Sequence, residues 1–130
     1  MLGKHFLTVS RFGFLRAFQR LLFSNYIYSN EIPTVFPKAL PNAFIYTMNM
    51  TEEHVKQFAI REKFAVHEGF ASKILQAETK TLYAYNTVQF ADYSKYESSI
   101  FDPEAKAAYR QEMFPKQCAA AYELGRSLLR

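Results

Sequence analysis

AFIYTMN at residues 43–49 and KTLYAYNT at residues 80–87 are the stretches on which the fold turns. Both are short runs rich in aromatic and β-branched residues, the composition that suits a pleated, packed surface. The leading residues of the first are all apolar, as in a strand covered on both faces. Helix-forming sequence lies between them. Thr51 is a good N-cap, and Glu52 and Glu53 behind it complement the positive end of a helix running to about Ile60. A second helix over about 67–78 carries Phe70, Ile74 and Leu75 on one face. Strands separated by helical segments predict an α/β fold with a parallel sheet and right-handed crossovers.

Working outward, HFLTV at residues 5–9 reads as a further short strand, and Ser10 stands where an N-cap belongs. From Arg11 to Phe23 the apolar residues recur at helical spacing, with Arg16 and Arg20 four apart on one face. Pro33, Pro37 and Pro41 make residues 24–41 an extended connection. Beyond the second strand, VQFADYSKYESSIF at 88–101 is a polar and aromatic loop. Asp102-Pro103-Glu104 then supplies a cap, a proline for the first helical position and an acid for the first turn. The final helix is predicted to reach about Leu129, with Pro115 kinking it or restarting it after Phe114.

The 130 residues suit one domain, 1–130, and 49% apolar with 22% charged content is that of a folded chain. No apolar run approaches the roughly 20 residues of a membrane-spanning helix, so no membrane partner is expected. With Cys118 alone there is no internal disulfide, and a reducing, cytoplasmic setting is the expectation. Beside Ala119, Ala120 and Ala121, Cys118 reads as a small side chain buried in the last helix. The net charge of +4 comes from the first 30 residues, where Lys4, Arg11, Arg16 and Arg20 stand without an acid. Such a stretch suits a core-facing helix whose arginines reach solvent; a transit peptide, or a basic membrane-surface or nucleic-acid helix, is the other reading.

Open parallel sheets bind ligands beyond the carboxyl ends of their strands. Thr47, Met48 and Asn49, at the end of the first strand, are therefore the candidate site: a hydroxyl and an amide for a ring edge, and a thioether for its face. Tyr85, Tyr93 and Tyr96 follow the second strand and suit ligand cover or packing. Gly3, Gly13, Gly69 and Gly125 are too far apart for a glycine-rich phosphate loop. Glu52 and Glu53 read as helix-dipole partners rather than a catalytic pair.

RAFQRLLF (16–23), PTVFPKALPNAFIYTMNMTEE (33–53), YNTVQFADYSKY (85–96) and FPKQCAAAYELG (114–125) together resemble the flavodoxin-like flavoproteins of the NADPH-dependent FMN reductase type. The resemblance runs from about residue 5 to the end. It implies a flavodoxin-like three-layer parallel sheet, N-terminally truncated, with the strands that cradle the FMN phosphate missing. FMN is the implied cofactor and NADPH or NADH the electron donor. Thr47, Met48 and Asn49 would lie beside the isoalloxazine, and Phe6, Thr8 and Ser10 would be the altered remnant of the preceding flavin loop. Because the flavin does the redox chemistry, no catalytic side chain is required. The missing phosphate loop implies weakened FMN binding, and the open sheet edge a homo-oligomer; no nucleic-acid partner is implied. The alternative is a non-catalytic remnant that serves as an oligomerising interaction module of the same fold.

Overall fold

In a computed structural model, strands β1 (Asn42–Thr47) and β2 (Thr79–Ala84) pair in parallel, Ala43 opposite Lys80 and Thr47 opposite Ala84. The described residues are 12–31, 34–95 and 102–129. The predicted strand at 5–9, and with it Phe6, Thr8 and Ser10, lies outside them. Around the pair stand helices α1 (Phe12–Ser24), α2 (Glu52–Gln57), α3 (Ile60–Leu75) and α4 (Pro103–Ser127), so the fold is mixed α/β. Among the described residues no helix is long and apolar enough to cross a membrane.

Alternation along the strands divides the side chains between two faces. Phe44, Tyr46 and Tyr83 meet α1 and α3. Phe18 of α1 packs edge-on to Phe44 at 5.5 Å, and Phe64 of α3 stacks on Tyr46 at 4.4 Å. Beside them Leu22, Ala71 and Ile74 form the buried core, with Tyr26, Phe36, Phe70 and Leu75 packed around it. The opposite face carries Ile45, Thr47, Leu82 and Ala84, which look toward α4. Lys80 reaches the far end of that helix, donating to the Ser127 carbonyl at 3.1 Å.

The caps form as the sequence dictates. Thr51 accepts from the His54 amide at 3.3 Å, and Glu52 pairs with Lys56 at 3.3 Å. Asp102 accepts from the amides of Glu104 and Ala105, both at 3.0 Å, with Pro103 at the first helical position.

One predicted boundary is corrected, and of the kink or restart expected at Pro115 the restart is excluded. The second helix covers Ile60–Leu75 rather than 67–78. It begins directly after Ala59, whose left-handed backbone (φ 50°) turns the chain out of α2, and it stops at left-handed Gln76 (φ 55°). An alanine in that conformation carries no local sequence signal, because the left-handed region is disfavoured for it by about 1–2 kcal/mol. Helix α4 also runs through Pro115 without restarting. Proline removes one backbone donor there, and the turns on either side retain theirs.

The extended connection after α1 is tied to the end of α3. Leu40 donates to the Leu75 carbonyl at 2.7 Å, and the Gln76 amide donates to the Phe36 carbonyl at 2.7 Å. Tyr26 and Thr34 form an isolated antiparallel bridge that buries Thr34.

Candidate functional site

Hydrogen bonding continues past the ends of both strands. The Met48 amide donates to the Ala84 carbonyl at 3.0 Å, Thr87 returns a bond to the Met48 carbonyl at 2.9 Å, and Asn86 donates to Met50 at 2.8 Å. Met48–Met50 and Tyr85–Thr87 thus form one stiff rim at the carboxyl end of the sheet. Asn86 makes the turn with a left-handed backbone (φ 49°), which asparagine tolerates better than most residues.

A buried cation locks this rim. Lys106, in the second turn of α4, is only 4% exposed. Its ammonium donates to the Asn86 side-chain oxygen at 2.7 Å, the Asn49 carbonyl at 3.1 Å and the Thr87 carbonyl at 3.4 Å. Those oxygens come from the ends of both strands, so one side chain ties α4 to the two of them. Three oxygens for three ammonium hydrogens is the satisfaction a buried lysine needs.

Between the rim, the Ile45–Leu82 face and α4 lies a groove of about 560 Å³. Its floor is Ile45, Leu82 and Ala84. Thr47, Asn86, Thr87 and Gln89 supply polar groups along one side, and Phe90, Tyr109 and Phe114 supply aromatic walls. That volume falls within the range of small-molecule sites. Burial, then the charge of Glu52, pushes the Tyr109 phenol up in pKa.

The predicted tripeptide divides. Thr47 is exposed and lines the groove. Met48 spends its backbone groups on the rim. Asn49 gives its carbonyl to Lys106 and its side-chain amide to Gln89, so it acts on the groove through Gln89. Tyr85 is buried, accepts from Arg61 Nε at 2.9 Å and also borders the groove. Phe6, Thr8 and Ser10 lie outside the described residues.

Cys118 corrects another expectation: it is exposed and lines the groove. The three alanines after it sit on a helix whose only buried side chain is Lys106, so they mark no buried seam. Lys106, Arg110 and Gln89 were not singled out from sequence. One signal was there for Lys106: a cation at the positive end of a helix opposes the dipole and needs a specific partner.

Comparisons with protein families, with curated proteins and with solved structures find no match.

Proposed function

We propose that this chain is a flavodoxin-like flavin-binding unit of the FMN reductase type, its two strands belonging to a three-layer parallel sheet. The groove takes the isoalloxazine of FMN. The observation that carries the reading is the 560 Å³ groove with an aliphatic floor that runs beneath α4 to the carboxyl end of a parallel strand pair, the end at which open α/β sheets hold ligands.

The residues present fit a flat heteroaromatic ring. Ile45, Leu82 and Ala84 offer its face an apolar bed, and Thr47, Gln89 and the Asn86–Thr87 turn offer its edge hydroxyl and amide groups. The flavin, when bound, supplies the electron chemistry between NADPH or NADH and an acceptor. The protein's part is to orient the ring, through a rim that Lys106 stiffens, and to keep water off one face. No acid or base is assigned to any side chain. The chain has no glycine-rich loop for a phosphate, and the α4 N-terminal amides are taken by Asp102. Without a backbone cradle for the phosphate, binding is expected in the range of about ten micromolar to a millimolar, about 4–7 kcal/mol. Titration with FMN, followed by flavin fluorescence, tests this. Saturable quenching in that range supports the reading, and no spectral change up to the solubility limit of FMN overturns it.

A second reading, an oligomerising module, is favoured by one observation. Among the described residues the sheet has two strands, each with an outer edge that no strand covers. A two-stranded sheet is marginal alone and its edges invite pairing. Light scattering over a concentration series tests it. A homo-oligomer that binds no flavin would favour this reading over the first.

A further inference from the structure

We propose that Arg110 is the residue that holds the phosphate of the flavin in the groove. This rests on the flavin reading, which already names FMN, and assigns the side chain that recognises its anionic end. Arg110 lies one turn after Lys106 on α4, on the side that faces the rim. It lines both the 560 Å³ groove and a neighbouring hollow of about 700 Å³, which Phe90, Asp92, Tyr93, Ser94 and Gln111 also border. A ligand with its ring in the groove and a chain trailing into the hollow passes the guanidinium at the junction.

The side chain is held for such a role. Its guanidinium carbon stands 5.7 Å from the centre of the Phe114 ring, within cation–π range. Among the described residues it joins no ion pair, whereas Lys116 and Arg126 on the same helix pair with Glu112 and Glu123. The acid in the lining of the hollow, Asp92, is engaged elsewhere: it accepts from the amide and hydroxyl of Ser94 and pairs with Lys95 at 3.7 Å. An arginine fork matches two phosphate oxygens at once. It would supply the charge that a glycine-rich loop supplies through backbone amides.

FMN and riboflavin share the ring and differ in the phosphate, so the pair isolates this contact. Dissociation constants for both are measured by flavin fluorescence on the full chain, at low and at high salt. The expected result is FMN tighter by about tenfold at low salt, the ratio shrinking as salt rises. Arg110→Gln is expected to bring the ratio to about one, and Arg110→Lys to keep part of the preference. Because Arg110 is exposed, both variants should keep the helical circular dichroism of the parent. Equal affinities in the parent, or a preference that survives Arg110→Gln, overturns the assignment and leaves the flavin reading standing. If neither flavin binds, both fall.

Discussion

The two faces of the strand pair are built differently. On the α3 side, rings interlock: Tyr46 stacks on Phe64 at 4.4 Å and on Tyr83 at 4.9 Å, and Ile74 and Ala71 are wholly buried beside them. On the α4 side the strands present shorter side chains, and the 25-residue helix over them buries only Lys106. Large aromatic residues fill the space beneath α3, whereas Ile45, Leu82 and Ala84 leave a groove beneath α4. One face supplies stability and the other supplies room. A single cation at the sheet's end, rather than a packed seam, holds α4 in register there.

This contrast can be broken most forcefully by truncation on each side. Ile74→Ala is expected to cost about 3 kcal/mol in urea denaturation, whereas Leu82→Ala, on a half-buried position above the groove, is expected to cost about half as much. Equal losses would mean that the α4 face is as tightly packed as the other.

Lys106→Met comes next, at about 2–3 kcal/mol, because three rim oxygens lose their donor in a buried place. Hydrogen exchange localises the effect: the amides of Asn86 and Thr87 should lose protection while those of Ile74 and Leu75 keep theirs. Loss of protection on both faces would show that the two are not separable.

Asp102→Ala removes the α4 cap, at an expected cost of about 1 kcal/mol.

The smallest effects belong to the phenols of the closed face. Burial first, and the Glu68 carboxylate next, push the pKa of Tyr46 and of Tyr83 up. The folded state therefore keeps both protonated at a pH where the unfolded chain releases the protons. Their contribution is complete below the ordinary phenol value of about 10 and is lost as pH rises past it. Stability should fall in alkali, and less so in Tyr83→Phe. The Tyr83 hydroxyl donates to Glu68 at 2.9 Å, whereas the buried Tyr46 hydroxyl finds no partner of good geometry. Glu68 is near enough to act on both phenols but is engaged by Tyr83. Tyr46→Phe should thus be neutral to within about 0.5 kcal/mol, since it removes an unpaired polar group.

The parts legible in the sequence are those with local causes. The two strands followed from aromatic and β-branched runs, and the starts of α2 and α4 from Thr51 and Asp102-Pro103. The core positions Phe70, Ile74 and Leu75 followed from helical spacing. The α2–α3 boundary was not legible, because Ala59 takes its left-handed backbone without a glycine or asparagine to announce it. Of the predicted tripeptide, Thr47 faces the groove, while Met48 and Asn49 are largely used to hold the rim.

The sequence by itself determined the order of helices and strands, their parallel pairing and the end of the sheet at which to look, because capping, periodicity and strand composition act over a few residues. Tertiary structure alone decided that Lys106 would clamp Asn49, Asn86 and Thr87 across separations of 57, 20 and 19 residues. It also decided that Cys118 and Arg110 would border a groove instead of a core. Those outcomes depend on which face of a long helix meets the sheet and how closely it approaches, quantities fixed by packing between distant segments and carried by no single stretch of the chain.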